Sequence, residues 1–183
     1  GRATDDPASV LKGALKVGQT KHYPALRREE VGAFLRELLE YPGRPETRLA
    51  LQILLLTFVR PGELRAARWT DFDLEGAEWR VPAERTKARV EHIVPLSLQT
   101  IALLKELQSL TGHAACLFPG GHSRVPYISE NTLNKAIEVL GYKGRVVGQG
   151  FRATASTILN ESGHFAPDVI ERQLAHAERN KVR

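Results

Sequence analysis

Methionine is absent from the 183-residue sequence, and cysteine occurs once, at Cys116. A lone cysteine cannot form a disulfide within the chain, which favours a reducing cytoplasm. The longest apolar cluster, Leu49–Val59, is interrupted by polar residues and is shorter than the roughly 18 residues that a membrane span requires. No secretory signal opens the chain. The missing initiator and the turn-rich first stretch predict a piece of a longer chain, with a linker over residues 1–25 that leaves an absent upstream domain.

The composition is ordinary for a soluble globular domain, with 42% hydrophobic and 26% charged residues. The net charge is +5, and the isoelectric point is about 9.6. A basic chain favours a polyanionic partner such as nucleic acid, although the charge alone is equally compatible with a basic protein of another function.

Apolar periodicity predicts a mainly α-helical fold with a small three-stranded antiparallel sheet, an α+β class. The predicted helices are Arg27–Tyr41, Glu46–Phe58, Glu63–Ala67, Leu98–Leu110, Ser129–Leu140, Arg152–Glu161 and one that begins at Pro167. Alternating apolar residues predict short strands at Asp71–Asp73, Glu78–Val81 and Glu91–Val94. The glycine-rich and proline-rich stretch from Gly112 to Ser129 is predicted to be a loop, with Ser129 capping the next helix.

Two arginines occupy unusual places. Arg60 follows an entirely apolar helix at a Pro-Gly break, and Glu63 could orient its guanidinium. Arg152 opens a helix after Gly148 and Gly150, where anions are readily bound. Each has a structural explanation of its own, an ion pair at a helix end for Arg60 and a solvated first-turn position for Arg152.

A lysine and a histidine complete the candidate set. Lys87 lies in the polar loop Glu84–Val90, and His176 lies near the end of the last helix, where each is ordinarily structural or solvated. Considered together, two arginines, a lysine and a histidine are the groups that phosphoryl transfer without a metal requires. The guanidinium forks neutralise the charge on the phosphoryl oxygens, and the ammonium protonates a leaving oxygen.

Four ordered motifs resemble the catalytic domain of the tyrosine recombinases, in particular the prophage and genomic-island integrases. "LLLTFVRPGELRAARW" resembles the first-arginine motif, "ERTKARVEHIVPLS" the lysine hairpin, "GFRATASTILNE" the second-arginine helix and "IERQLAHAERNKVR" the late histidine segment. The resemblance covers essentially the whole chain, with residues 26–183 as the catalytic domain. Four motifs in order are specific, whereas any one alone would be weak.

The resemblance implies site-specific DNA recombination, the integration and excision of a phage or island, through a 3′-phosphotyrosyl intermediate. It implies that Arg60 and Arg152 hold the scissile phosphate, that Lys87 serves the leaving 5′-oxygen and that His176 donates a hydrogen bond to the phosphate. No metal or nucleotide cofactor is expected. The family often has a histidine where this chain has Gln149, and glutamine cannot transfer protons near neutral pH. Weakened chemistry is therefore expected.

Four further basic residues are expected to contact DNA: Arg85, Arg89, Lys143 and Arg145. The resemblance implies double-stranded attachment sites as the partner, a tetramer on DNA for the whole protein, a monomer for this chain, and a bacterial cytoplasmic location. The family's nucleophilic tyrosine would lie just beyond Arg183, and all four tyrosines of the chain precede Arg152. A truncated and inactive catalytic domain is therefore the expectation.

Two other classes remain open. A non-catalytic DNA-binding module with a helix-turn-helix near residues 131–157 would explain the charge but not Arg60 or the lysine loop. A metal-dependent hydrolase would have to use histidines whose spacing matches no compact ligand motif. Those histidines are His113, His122, His164 and His176.

Overall fold

The computed structural model describes residues 22–122 and 125–175. Its α-helices are α1 (Arg28–Leu39), α2 (Pro45–Thr57), α3 (Pro61–Arg65), α4 (Leu98–Thr111), α5 (Asn131–Val139), α6 (Gly150–Ser162) and α7 (Pro167–Gln173). Its strands are β1 (Phe72–Asp73), β2 (Glu78–Val81), β3 (His92–Pro95), β4 (Pro119–His122) and β5 (Val125–Tyr127). The predicted fold class, mainly helical with a small three-stranded antiparallel sheet, is confirmed.

Helix α2 forms the centre of the core, because its apolar residues face all directions and it contacts α1, α3, α4 and α5. Pro45 occupies its first turn, where the missing backbone N–H removes no hydrogen bond. The helix ends at Thr57, and the C-cap residue Phe58 has a left-handed backbone with φ of 55°. This turn redirects the chain, so that buried Val59 is followed by Arg60 at the edge of the core.

The three-stranded sheet has the order β1-β2-β3 with antiparallel pairing. Trp79 of β2 lies opposite Val94 of β3, and Val81 lies opposite His92. All four side chains face the interior, as the alternation of buried and exposed positions in β2 and β3 requires. The sheet therefore brings the loop between β2 and β3, which carries Lys87, to one edge of the helical core.

The predicted loop between Gly112 and Ser129 is wrong in part, because β4 and β5 pair there as an antiparallel hairpin. The sequence signal for these strands is weak, since the first reads Pro-Gly-Gly-His and lacks apolar alternation. The glycine has a packing reason: a Cβ at Gly120 would lie 2.3 Å from the carbonyl oxygen of Tyr127. The pairing of β4 with β5 therefore depends on the close approach of their two backbones, and not on an alternation of apolar side chains.

Helix boundaries agree with the sequence-based prediction to within a few residues, with one corrected cap. Ser97 caps α4 as expected, accepting a hydrogen bond from the backbone N–H of Thr100. Ser129 does not cap α5, because Glu130 occupies the N-cap position and makes no side-chain cap. The Ser129 hydroxyl instead lies 3.0 Å from that of Thr132.

The chain that precedes α1 packs against the start of α6. The hydroxyl of Thr154 donates a hydrogen bond of 3.0 Å to the carbonyl of Leu26. A Cβ at Gly150 would lie 1.9 Å from the carbonyl oxygen of Pro24, so only glycine fits there. The predicted linker over residues 1–25 falls mostly on residues 1–21, which lie outside the described residues.

Helices long and apolar enough to cross a lipid bilayer do not occur within residues 22–122 and 125–175.

Candidate active site

Arg60 is positioned by the junction between α2 and α3. Its backbone is extended, with φ of −71° and ψ of 140°, and Pro61 starts the next helix. The backbone N–H of Arg60 donates to the Glu63 carboxylate at 2.9 Å, and Nη1 donates to the same carboxylate at 3.0 Å. Glu63 is 3% exposed, so this ion pair lies in a water-poor environment. The prediction that Glu63 orients Arg60 is confirmed by these contacts.

Arg152 lies on the first turn of α6 and is 5% exposed. Its Nη1 donates a hydrogen bond to the carbonyl of Phe58, and its Nη2 donates to the carbonyl of Leu174. The left-handed turn at Phe58 leaves that carbonyl free of helical pairing and available to the guanidinium. Arg152 therefore links the ends of α2 and α7 to α6.

The two arginines meet at the end of α7. Nη2 of Arg60 donates to the carbonyl of Ala175 at 3.2 Å, and Arg152 donates to the carbonyl of the preceding residue, Leu174. The Gln173 side chain also donates to the carbonyl of Thr57 at 3.0 Å. Two consecutive carbonyls thus orient two guanidinium groups that the sequence separates by more than ninety residues.

The electrostatic surroundings of Arg152 are unusual. Burial, and to a lesser extent the positive charge of Arg60, lower the pKa of Arg152 to about 10 against the opposing effects of Glu63 and Glu171. Arg152 stays charged at neutral pH because this pKa is still well above 7. Two adjacent guanidinium groups whose N–H donors are only partly used by Glu63 and the carbonyls can bind an anion.

Lys87 is exposed on the loop between β2 and β3. The loop is shaped by Thr86, which is 7% exposed and whose hydroxyl oxygen lies 3.1 and 2.8 Å from the carbonyl oxygens of Ala83 and Val90, the two acceptors for its one proton. The same hydroxyl accepts a hydrogen bond from the backbone N–H of Val90 at 3.2 Å. A fixed loop with an exposed lysine can present the ammonium group to a partner outside the chain.

Arg85 has an internal role in the structure. It forms a two-pronged ion pair with Asp71, at 2.6 and 2.7 Å, and donates to the carbonyl of Ala66 at 2.7 Å. Asp71 is largely buried, so this pair ties the lysine loop to the turn after α3. Arg85 was predicted as a DNA contact, and its guanidinium is already occupied by these partners.

The other predicted DNA-contacting residues lie on the surface. Arg89 is exposed with φ of 53°, and Lys143 is exposed in the turn between α5 and α6. Arg145 lies over the Tyr142 ring at 4.6 Å and donates to Glu30 at 2.7 Å. None of these three forms a hydrogen bond or ion pair with Arg60 or Arg152 within residues 22–122 and 125–175, so they form no part of the arginine cluster.

Gln149 and His176 complete the predicted set. Gln149 is half-buried at the N-cap position of α6, and its carbonyl accepts from the Arg152 backbone N–H at 3.3 Å. Its backbone is therefore adjacent to Arg152, and the catalytic role of its side chain stays a prediction. His176 lies outside the described residues, directly after Ala175.

Sequence reasoning missed two side chains and three carbonyls of this region. Asp71 and His92 were not singled out, nor were the carbonyls of Phe58, Leu174 and Ala175. A signal for His92 existed, because strand alternation places it on the same buried face as Val94. The sequence holds no signal for the three carbonyls, because every residue has a backbone carbonyl whatever its side chain.

Neither competing class gains support from the site. Within the described part of the chain, no group of three or more His, Cys, Asp or Glu side chains could hold a metal ion. A helix-turn-helix module also does not account for the arginine cluster or for the fixed loop that carries Lys87.

The amino-acid sequence is similar to those of known phage and prophage integrases. The sequence profile of the phage integrase family matches residues 24–183. The integrase of Enterobacteria phage P4 is 46% identical over 97% of this chain and 44% of its own length. The prophage integrase IntZ of Escherichia coli K12 is 42% identical over 94% of this chain and 42% of its own length. The chain thus spans less than half the length of either relative.

Solved structures share the fold at low sequence identity. A XerH site-specific recombinase bound to its difH substrate superposes with a TM-score of 0.68 at 20% identity, over 90% of this chain and 50% of that one. A lambda integrase tetramer bound to a Holliday junction gives 0.66 at 15% identity, over 93% of this chain and 52% of that one. These likenesses establish the fold, and the arginine cluster lies within it.

Proposed function

Because the chain belongs to the phage integrase family, we propose that it is the catalytic part of a tyrosine-type site-specific recombinase that integrates and excises DNA. The observation that carries the proposal is the arginine pair, with Arg60 and Arg152 oriented by consecutive carbonyls at the end of α7. The proposed division is a linker at residues 1–25 and the catalytic domain at residues 26–183.

The arginines bind the scissile phosphate in this proposal. Both guanidinium groups keep N–H donors beyond those that hold the carbonyls, because a guanidinium has five. The remaining donors neutralise the non-bridging oxygens as negative charge accumulates in the transition state. The carbonyls and Glu63 fix the guanidinium planes beforehand, so little reorganisation is needed during the reaction.

The transfer itself breaks one phosphorus–oxygen bond and forms another. A tyrosine hydroxyl attacks the scissile phosphorus and releases its proton to water, the bond to the 5′-oxygen breaks, and a 3′-phosphotyrosyl bond forms. Lys87 donates its proton to the leaving 5′-oxygen, and His176 donates a hydrogen bond to the phosphate. The phosphoester bond is conserved, so the reverse attack by a 5′-hydroxyl rejoins the strands without a high-energy cofactor.

The four tyrosines of the chain do not suit the role of nucleophile. Tyr142 is 3% exposed and its ring packs edge-on against Phe34 at 4.9 Å. Tyr23, Tyr41 and Tyr127 also precede Arg152, whereas the nucleophilic tyrosine of the family follows the second arginine. We therefore assign the nucleophile to a position beyond Arg183, and the 183-residue chain alone is expected to be inactive.

Duplex DNA carrying attachment sites is the proposed partner, in the bacterial cytoplasm. The net charge of +5 and the exposed cations Lys87, Arg89 and Lys143 supply contacts to phosphates, which dominate non-specific affinity. A tetramer on DNA is proposed for the whole protein, and a monomer for this chain alone.

The test compares the 183-residue chain with a protein extended by its natural gene. Each is incubated with a suicide substrate, a nicked attachment site whose cleaved end diffuses away, and covalent protein–DNA adducts are counted. We expect an adduct from the extended protein and none from the 183-residue chain. Arg152→Lys in the extended protein should reduce adduct formation by about 10²- to 10³-fold, because the second hydrogen-bonding prong is lost.

The matched control is Arg36→Lys, an exposed arginine in the last turn of α1. It should form adducts at the unaltered rate. Binding of DNA by the extended protein without any adduct would instead favour a non-catalytic DNA-binding module.

A further inference from the structure

A buried histidine next to the arginine pair has no role in the proposed chemistry. His92 begins β3, is 8% exposed, and faces the interior opposite Val81. Neither ring nitrogen has a partner with hydrogen-bond geometry within the described residues. The backbone of Arg172 lies near enough to the ring to act as a hydrogen-bond partner that raises the pKa of His92. A buried polar side chain without full pairing is costly and requires an explanation.

The charges that face His92 come from three elements. Glu63 of α3 favours its protonated form, whereas Arg60 before α3 and Arg152 of α6 disfavour it. Burial is the largest influence and also disfavours a charged ring, so the pKa of His92 lies below its usual range. A neutral imidazole offers one donor and one acceptor without adding a third positive charge to the arginine pair.

The position of His92 relates two parts of the site. It directly follows the loop that carries Lys87, and it lies against the backbone of Arg172 on α7. Leu174 and Ala175, which follow Arg172, supply the carbonyls that orient the two arginines. A change at His92 can therefore reach both arginines through the end of α7.

We propose that His92 is a positioning residue of this site, whose neutral imidazole supports the end of α7 and so holds the carbonyls that orient Arg60 and Arg152. The consequence for recombination rests on the proposed function, whereas the support of α7 does not. A neutral ring gives this support without placing a third positive charge beside the pair.

The first experiment measures hydrogen exchange of the guanidinium N–H groups of Arg152 by ¹⁵N nuclear magnetic resonance, in the chain without DNA. His92→Phe keeps an aromatic ring but removes both nitrogens, and His92→Gln keeps a donor and an acceptor. We expect His92→Phe to reduce the protection of Arg152 by about tenfold, the factor equivalent to one hydrogen bond to a charged group. His92→Gln should retain most of the protection.

The control is His113→Phe, an exposed histidine after α4, which should leave protection unchanged. Should His92→Phe fail to fold, His92→Leu, a smaller apolar side chain without a donor or an acceptor, takes its place with the same expected loss of protection. Unchanged protection in His92→Phe, or an equal loss in His92→Gln, would overturn the proposal.

A second experiment separates positioning from simple electrostatics. Sulfate is a dianion near neutral pH, and its affinity at constant pH reports on how well the two arginines are oriented. Positioning predicts that His92→Phe weakens sulfate binding and that His92→Gln largely retains it. A purely electrostatic role predicts equal binding by the two variants, since neither side chain carries a charge, and this result would contradict the proposal. Absence of sulfate binding by the unaltered chain would count against the phosphate site, while the exchange measurement would still decide the role of His92.

Discussion

The carboxylate of Glu63 binds Arg60 twice, once through the backbone N–H at 2.9 Å and once through Nη1 at 3.0 Å. One side chain therefore caps α3 and also fixes the direction of a guanidinium in the candidate active site. Because Glu63 is almost fully buried, both tasks depend on its staying ionised and paired.

Replacing Glu63 by glutamine tests this double role. The amide keeps one acceptor but removes the only carboxylate that pairs with Arg60 in the described residues. We expect Glu63→Gln to lower the free energy of unfolding by about 1–3 kcal/mol, measured by urea denaturation. Glu161→Gln, on the exposed face of α6, is the control and should change stability by less than about 0.5 kcal/mol. Equal effects at the two positions would remove the capping explanation.

Acid stability should depend on Glu30 in the first turn of α1. Its carboxylate accepts hydrogen bonds from the backbone N–H of Arg27 and from the Arg145 guanidinium, and these lower the pKa of Glu30 to about 2. A depressed pKa in the folded state means that Glu30 stabilises the fold above about 4.5 and that this contribution is lost as the pH falls towards 2.

Melting temperatures from pH 6 to pH 2 test this dependence. The chain and its Glu30→Gln variant should differ most above pH 4.5 and converge near pH 2. The neighbouring Glu29→Gln is the control, and its difference should vary less with pH. A difference in melting temperature between the chain and Glu30→Gln that stays constant from pH 6 to pH 2 would contradict the assigned hydrogen bonds.

Two glycine-to-alanine substitutions should change the stability of the fold in opposite directions. Gly150→Ala places a methyl group 1.9 Å from the Pro24 carbonyl oxygen, so the segment before α1 must move and stability should fall by about 1–3 kcal/mol. Gly32→Ala in α1 meets only the flexible Arg36 side chain at 3.6 Å and should raise stability by up to about 1 kcal/mol. Thermal denaturation measures both. A stable Gly150→Ala protein would show that residues 22–26 do not pack on α6 as described.

Restoring a histidine at position 149 should increase catalysis. Gln149 is half-buried at the start of α6, beside Arg152, and cannot exchange protons near neutral pH. Gln149→His in the extended protein is expected to raise the rate of adduct formation by about tenfold or more, since general acid–base assistance contributes about 10²- to 10⁴-fold. Gln149→Asn is the control and should not. Equal rates for Gln149→His and the unaltered protein would mean that the chemistry does not need an imidazole at this position.

Much of the fold was predictable from residue pattern. The apolar stretch of α2, the Ser97 cap and the alternation in β2 and β3 each have a local cause that the sequence carries. The hairpin of β4 and β5 was not predictable, because it depends on the close approach of Gly120 to the Tyr127 backbone. A sequence pattern reveals apolar side chains at regular spacing. It cannot reveal this hairpin, because the contact that determines it is between backbones.

The site divides in the same way. Arg60, Glu63 and Arg152 were singled out because charged residues next to buried helices are unusual. The carbonyls that orient the arginines come from the ends of α2 and α7, and only the tertiary structure brings them together. The inward direction of Arg85 depends likewise on its distant partner Asp71. Residue type thus indicated which side chains matter, and the packing decided where each one points.

The central claim is that Arg60 and Arg152 together hold the phosphate at which the DNA strand is exchanged. A crystal structure of the extended protein with an uncleaved attachment-site duplex tests it most directly. The account predicts that a non-bridging oxygen of the scissile phosphate lies within about 3 Å of a nitrogen of each guanidinium, while Glu63 still pairs with Arg60. A scissile phosphate bound away from the two arginines, or held by only one of them, would contradict the account.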